Sequence, residues 1–402
     1  MNEVVVKMNW LNVVEISKGV HWVGVRDWNR RLFDALIPLP MGTSYNSYLI
    51  VGEKKSALID TVNPGFEKEL EGKINKITDP KDIDYIVMNH AEPDHAGSIP
   101  YMMLINSKAV LVTNARGAKM AKTYFGVPDD RMLIISDQDT ICLGGKTLHF
   151  IEAPMLHWPE TIFTYLQEDK ILFPCDFFGS HIAKGVYGED FEDLLVHAQR
   201  YFGEIMMPFK SAAKRALEKI KDLDISVIAP SHGPIHKNTQ RIIKSYTRWV
   251  NGETRRKVTV VYVTMWRNTE KMIKPLAETL MSEGVELSLY DLVSSDVGDI
   301  VKDLVDSRAL VLGAPTVLNG MHPLAFYAAY LVKALRPPIK FGVFLSSYGW
   351  SGGAKKQFQE MLGASGVEVI DAIEINGPPS EDDIEQIIQL GKTLAVKIKG
   401  DS

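Results

Sequence analysis

His90-Ala91-Glu92-Pro93-Asp94-His95 lies one residue, Asn89, beyond the apolar run Ile83–Met88 and crowds four side chains able to bind a metal into one short segment. An apolar run of that length bounded by polar residues predicts a buried strand, so the cluster lies just beyond a strand end. Three further strand-like runs lead to the same chemistry. Leu148–Glu152 precedes Met155-Leu156-His157, Ile171–Phe173 precedes Pro174-Cys175-Asp176, and Ile225–Ala229 precedes Pro230-Ser231-His232. Donors far apart in sequence are then expected to gather along one rim of a sheet.

The donor types narrow the metal. Cages rich in thiolate or imidazole suit zinc, whereas carboxylate and imidazole mixed suit redox-active iron or manganese. His90, Glu92, Asp94, His157, Asp176 and His232 form a balanced set of imidazoles and carboxylates. Because a carboxylate can bridge two ions, the set predicts a two-metal centre. A single His or Asp at a strand end is ordinarily a surface or capping group, so the weight rests on the joint pattern. Cys175 adjoins Asp176, but alternation along a strand end points the two side chains to opposite faces and leaves the thiol out of the set.

The second half carries an independent signal. From Lys257 to about Lys397, strand-like runs alternate with amphipathic stretches of helical period, which predicts an open parallel sheet with helices on both faces. The run Val258–Val263 leads through Thr264-Met265-Trp266-Arg267-Asn268-Thr269 into a helical stretch, Glu270–Ser282. A hydroxyl-rich loop entering a helix N-terminus is a phosphate cradle. Two later loops follow the runs Ala309–Gly313 and Lys340–Leu345, where a flavodoxin-like sheet binds its ligand. They contain Pro315, Thr316, Leu318, Asn319 and Gly320, and Ser346, Ser347, Tyr348, Gly349, Trp350 and Gly352. Glycines allow close backbone approach to a ring, and Trp350 or Tyr348 offers a surface on which a flat ring stacks. Arg267 and Asn268 stand where a flavodoxin ordinarily has small residues. Arg267 either pairs with the phosphate or turns outward to solvent.

The run His90-x-Glu92-x-Asp94-His95 resembles the His-x-His-x-Asp-His signature of the metallo-β-lactamase superfamily, with Glu92 in place of a second His. An extra anionic oxygen donor stabilises a more highly charged ion, which iron becomes on oxidation and zinc does not. Taken with Asp27-Trp28-Asn29-Arg30, Gly42-Thr43-Ser44-Tyr45-Asn46-Ser47-Tyr48 and the three loops of the second half, the chain resembles the flavodiiron proteins over essentially its whole length.

That resemblance implies a metallo-β-lactamase-like αββα sandwich over residues 1–254 and a flavodoxin-like doubly wound parallel sheet over 255–402. It implies two non-haem irons, FMN, and electrons passed from rubredoxin or a similar donor through FMN to iron. The reaction is reduction of dioxygen to water, favoured here, or of nitric oxide to nitrous oxide. Iron ligands would be His90, Glu92 and His157 on one side, Asp94 and His232 on the other, with Asp176 as the bridge. With six donors serving two ions, His95 takes a supporting role, orienting a carboxylate or delivering a proton. His181 either lines the pocket or contacts the gas. The family arrangement is a head-to-tail homodimer, or a dimer of such dimers, in which FMN of one subunit faces the irons of the other. The chain ends at Ser402 with no further Cys pair, so the donor is expected to be a separate protein.

Composition fits these expectations. A length of 402 residues with 46% hydrophobic content suffices for two cores. A net charge of −5 argues against a nucleic-acid binder. Met1–Trp10 lacks a basic segment followed by a long apolar run, and no stretch predicts a membrane span. Cys142 and Cys175 alone do not form a disulfide framework, which points to a reducing compartment, the cytoplasm. The helical stretch Thr239–Val250 runs into the polar cluster Asn251–Lys257, and the boundary between the halves is set near Thr254. Two other classes compete with the oxidoreductase: a zinc hydrolase with an accessory flavodoxin-like domain, and an electron shuttle whose metal half is structural. His21, His149, His197, His236 and His322 are read as structural.

Overall fold

In the first half, side chains alternate in and out of each strand with period two, and the alternation builds two cores. Leu49, Leu58, Ile86 and Leu111 pack with the helices Glu67–Ile74, Ile99–Ile105 and Ala115–Phe125. Their neighbours Tyr48, Ile50, Ala57, Ile59, Val87 and Val112 face the opposite way. There they meet Leu148, Phe150, Ile162, Leu166, Ile171 and Phe173 of a second sheet. The result is two sheets face to face with helices outside, the expected sandwich. The helix Lys210–Ile220 lies against the second sheet, with Lys219 Nζ donating to Glu152 O at 2.8 Å. This is a computed structural model, and it describes residues 12–363 and 365–400. Met1–Trp10, read above for a leader segment, lies outside the described residues.

Strand direction sets where the site forms. The first sheet runs Val14–Ser17, Val20–Trp22, Tyr48–Val51, Ser56–Ile59, Tyr85–Val87, Val110–Asn114 and Met132–Ile135. It is antiparallel as far as Ser56–Ile59 and parallel beyond it. The second sheet runs Thr140–Cys142, Thr147–Glu152, Ile162–Leu166, Ile171–Phe173 and Val227–Ile228, and only its last pair is parallel. Neighbouring parallel strands bring their carboxyl-terminal ends side by side, and four of those ends, two in each sheet, carry Asp60, the His90 segment, Asp176 and His232.

The strands of the second half form one parallel sheet in the order Glu286–Asp291, Lys257–Tyr262, Ala309–Val317, Phe341–Tyr348, Glu368–Asn376. Both faces are apolar, so the strands read as near-continuous apolar runs without the alternation of a half-wet sheet. Val258, Val260, Val311 and Val343 pack with the helices Asn268–Ser282 and Glu381–Gly400. Val261, Leu310, Leu312 and Phe344 pack with Val297–Leu304, Pro323–Leu335 and Ala354–Gly363. This is the doubly wound, flavodoxin-like sheet. Ser380 opens the last helix as a capping box: its hydroxyl accepts from Asp383 N at 3.2 Å, while Asp383 Oδ2 accepts from Ser380 N at 2.8 Å.

The described chain divides into two compact units. The first runs to Tyr201 and resumes over Phe209–Thr247; the second takes Phe202–Pro208 and everything from Arg248 onward. Thr254 thus falls a few residues inside the second unit. The short segment Phe202–Pro208 joins that unit because Gly203 abuts Val301 and Val305, a tertiary contact with no local signal in the sequence.

Candidate metal centre and flavin loops

The His90 segment changes backbone type midway, which splits its donors into two groups. His90 and Glu92 stand two apart on extended chain, where alternate side chains share a side. Glu92 Oε2 lies 3.1 Å from His90 Nε2. Glu92 then caps the helical turn Pro93–Ala96, with Pro93 fixing the φ of its first residue. The turn swings Asp94 and His95 away from the first pair. His157 returns to it, with Nε2 2.9 Å from Glu92 Oε2. His232 joins the second, with Nε2 3.1 Å from Asp94 Oδ2.

Asp176 stands between the groups. Its Oδ2 faces His90 Nε2 at 3.5 Å and His157 Nε2 at 3.6 Å. Its Oδ1 faces His95 Nε2 at 3.0 Å and His232 Nε2 at 3.5 Å. Two donor sets result: His90, Glu92, His157 and Asp176, with ligand atoms within 4.8 Å of one another, and Asp94, His95 and His232, equally close. All six sequence-predicted ligands come together. His95 turns its Nε2 toward Asp176 Oδ1, at 3.0 Å, and lies among the donors of the second set.

The residues present suit cations. Asp94 Oδ1, Asp94 Oδ2 and Asp176 Oδ2 are buried with no hydrogen-bond partner. Leaving such oxygens unmet is costly unless a positive ion completes them. The imidazoles and carboxylates also bias one another's protonation. Burial opposes a proton on His90, but hydrogen bonds to Glu160 and Glu92 and the charge of Asp176 hold its pKa well above the ordinary value. His95 is likewise lifted, against burial, to about 9 by Asp94 and Asp176. Burial also resists ionisation of Asp176, yet the neighbouring His95, His90 and His232 hold its carboxyl well below the usual range. A metal ion would replace these protons.

Supporting residues aim the rings, and the sequence reading missed them. Glu160 Oε1 lies 2.7 Å from His90 Nδ1 and accepts from Ala91 N at 2.9 Å, which leaves His90 Nε2 for the centre. His232 Nδ1 donates to Ser44 O at 2.7 Å with the same effect. Tyr201 donates its hydroxyl to Asp176 Oδ1 at 2.9 Å. These carboxylate and carbonyl partners fix tautomer and ring orientation, a support that metal-binding His residues ordinarily need. Only Glu160 left a trace: a carboxylate three residues past His157 in an otherwise apolar stretch.

His181 lines the pocket beside the second set. Its Nδ1 meets Thr43 Oγ1 at 2.9 Å, while Nε2 has no partner. Its ring lies 4.8 Å from that of His232 and 5.0 Å from that of Phe33. Burial, then the charge of His232, holds its pKa well below the ordinary value, so the ring is neutral. Phe33 belongs to a small hairpin, Leu32–Phe33 paired with Ile37–Pro38, that bonds to no other sheet. Asp34 and Ala35 both take positive φ at its turn.

Strain gathers at the same rim. Asp60, Met155, Cys175 and Phe178 all have positive φ, at 52°, 67°, 50° and 71°, and each precedes or supports a site residue. The left-handed turn at Cys175 voids the alternation argument for its thiol. Cys175 Sγ lies within 4.8 Å of donor atoms of His95 and Asp176. It accepts from Ser231 Oγ at 3.4 Å, and burial pushes the thiol well above its ordinary pKa, which keeps it protonated. Among the residues read as structural, His236 Nε2 donates to Phe178 O, His149 pairs with Gln138, and His322 caps the helix Pro323–Leu335.

The three loops expected to hold the flavin converge at one edge of the second unit, because their strands are parallel neighbours: Tyr262 beside Gly313, Pro315 beside Ser347. Two of the loops are shorter than expected. The strands run on to Val317 and Tyr348, so Pro315, Thr316, Ser346, Ser347 and Tyr348 are strand residues. Leu318 and Asn319, both at positive φ, form a two-residue turn of the I′ kind back to Gly320–Met321. Thr264 Oγ1, Thr269 Oγ1 and Ser346 Oγ are buried without partners, an orphaned hydroxyl set of the kind that a phosphate and a polar ring edge would satisfy. Arg267 turns away, its Nε 3.1 Å from Glu270 Oε2, and Asn268 starts the helix. Met265 is exposed, as are Trp266 at 80%, Leu318 at 96% and Trp350 at 95%. Gly349 and Gly352 continue the third loop beside Trp350.

The comparisons with known proteins agree with both halves. Family models described as ODP family beta lactamase and flavodoxin match residues 43–233 and 260–391. A nitric oxide reductase of Moorella thermoacetica is 38% identical over 96% of this chain and 98% of its own length. The solved rubredoxin oxygen:oxidoreductase of Desulfovibrio gigas superposes with a TM-score of 0.94 at 30% identity, covering 97% of this chain and 99% of that one. The flavodiiron protein of Giardia intestinalis gives 0.93 at 31% identity, with 97% of each chain covered. Likeness of that extent and closeness, over a carboxylate-bridged donor pair and a flavodoxin sheet, makes this chain a member of the flavodiiron protein family, an oxidoreductase with a di-iron centre and FMN.

Proposed function

We propose that the chain reduces dioxygen to water, with reduction of nitric oxide to nitrous oxide as the second reading at the same site. The observation that carries this is Asp176, whose two oxygens each face a separate set of donors. One iron would be held by His90, Glu92 and His157, the other by Asp94, His95 and His232, with Asp176 across both. A zinc hydrolase has no use for so many anionic oxygens, and a merely structural site has no use for the unpartnered His181 Nε2.

When bound, the irons and FMN supply the electrons, four per dioxygen or two per pair of nitric oxide molecules. The protein's own residues do the rest. Glu160 and Ser44 O hold His90 and His232 so that each turns Nε2 inward. Tyr201 holds Asp176 in place. Phe33 covers the His181 and His232 rings and keeps bulk water from them. Neutral His181, anchored by Thr43, offers Nε2 as a hydrogen-bonding group to a bound diatomic.

The relatives named for rubredoxin and for nitric oxide support a small redox protein as donor and either gas as substrate. We infer a head-to-tail homodimer, or a pair of such dimers, supported by the exposed Trp266, Leu318 and Trp350 on the flavin loops; an active monomer in sedimentation rejects it. No helix among the described residues is long and apolar enough to cross a membrane. A cytoplasmic location is inferred from the two free cysteines, Cys142 and Cys175.

Metal analysis and anaerobic rapid mixing test the reading together. About two irons per chain are expected, with reduced FMN reoxidised quickly by dioxygen or nitric oxide. Zinc in their place, or turnover indifferent to removal of FMN, overturns it. Consumption of each gas with a reduced rubredoxin then chooses between substrates.

A further inference from the structure

Glycines in flavin loops are ordinarily credited to close approach of the ring, but two of those here are explained from within the protein. A Cβ on Gly352 would lie 2.4 Å from Glu374 Oε2, and one on Gly353 would lie 2.3 Å from Asn319 O. The backbone of the third loop is thus pressed against Glu374 on one side and the second loop on the other. Glu374 lies on Glu368–Asn376, the strand next to Phe341–Tyr348, opposite Ser346.

One oxygen of its carboxylate joins both loops. Glu374 Oε1 accepts from Thr316 Oγ1, near the end of the strand that leads into the second loop, at 3.0 Å. It also accepts from Gly353 N of the third at 3.0 Å and, more weakly, from Lys355 N at 3.4 Å. The last two donors open the helix Ala354–Gly363, so the carboxylate occupies that helix end itself. Ser351 Oγ adds a bond to Asn319 Oδ1 at 2.8 Å between the same loops. Among the described residues no Lys or Arg pairs with Glu374, so its charge is met by amide and hydroxyl groups alone.

We propose that Glu374 is a positioning residue that locks the second and third flavin loops into one rigid clamp and sets both FMN affinity and the flavin midpoint potential. The inference rests on the assignment of those loops to FMN. Two effects separate. The three hydrogen bonds fix the loops before the flavin arrives, which lowers the ordering cost of binding. The negative charge opposes the charge that a flavin gains on reduction, which lowers the potential.

The test uses the full chain, with FMN release on dilution followed by flavin fluorescence and the midpoint potential read by spectroelectrochemistry. Glu374→Ala is expected to release FMN about tenfold more readily, or worse. Glu374→Gln keeps an acceptor oxygen but not the charge, so affinity should stay within about threefold while the potential rises. Glu374→Asp keeps the charge but withdraws it from Thr316, and should weaken binding without raising the potential; it stands in for Glu374→Ala if that variant does not fold. Thr269→Ala and Ser346→Ala check the underlying assignment. If those two weaken FMN and the Glu374 variants bind it like wild type, the clamp is rejected. If none of the variants changes affinity, the loops themselves are misassigned and the clamp falls with them. An unchanged potential in Glu374→Gln overturns the electrostatic half.

Discussion

Glu160 shows how much of a metal centre lies one step behind its ligands. Its carboxylate has no metal to touch, yet it decides which nitrogen of His90 faces inward. Replacing it with Gln keeps the shape and removes the charge. Glu160→Gln is expected to weaken metal binding about ten- to a hundredfold, measured by competition with a coloured chelator. The same partner explains what sequence reading sees and what it misses. His90, Glu92, Asp94, His157, Asp176 and His232 were legible because each follows a strand-like run, and strand ends meet at a rim. His95 was legible as a member of the group but not in its direction: a ring turns with its backbone, and the change from extended chain to helical turn at Pro93 is a matter of φ and ψ. Arg267 was an open choice for the same reason; its guanidinium pairs with Glu270, one turn along the helix.

At the scale of elements, the donor strand Ile171–Phe173 and the helix Thr239–Val250 coincide with the stretches that periodicity suggests, while Tyr85–Val87 and Val227–Ile228 are shorter than the runs Ile83–Met88 and Ile225–Ala229. Ala309–Val317 and Phe341–Tyr348 run longer, because the ladder continues through residues whose Ser, Thr and Pro content reads as loop. Cross-strand pairing, absent from a single-sequence view, outweighs that local preference. The hairpin around Phe33 is the other element with a function that its sequence does not announce. It bonds to no other sheet, and its hold on the unit includes the packing of Phe33 on His181 and His232. Phe33→Ala is expected to cost about 3–5 kcal/mol as a deleted buried ring, and to speed metal loss to a chelator several-fold. Denaturant titration gives the first quantity and chelation kinetics the second. Chelation at the wild-type rate would mean that the hairpin is no cover.

Across the whole molecule, both halves and their order were legible from the switch between mixed and strictly alternating patterns. The placement of Phe202–Pro208 was not, because that segment follows tertiary contacts rather than its chain neighbours. Stability of the first unit should carry a pH signature from His236, whose ring is buried by the Phe178 carbonyl. Burial, partly offset by that hydrogen bond, lowers its pKa from 6.5 to about 4. The neutral form is favoured only in the folded state, so unfolding takes up a proton between those two values. Stability therefore falls as pH drops from about 6.5 towards 4, by about 3 kcal/mol for this group. Denaturation of the metal-free wild type and His236→Gln across that range should show the extra slope in the wild type alone; parallel curves would remove His236 from the account.

Asp176 divides the donors in time as well as in space. A ribosome emits His90, Glu92, His157 and Asp176, one full set, well before it reaches His232. A nascent polypeptide can thus acquire its first ion while still tethered, whereas the second position stays short of a ligand until the closing strand of the second sheet has been synthesised.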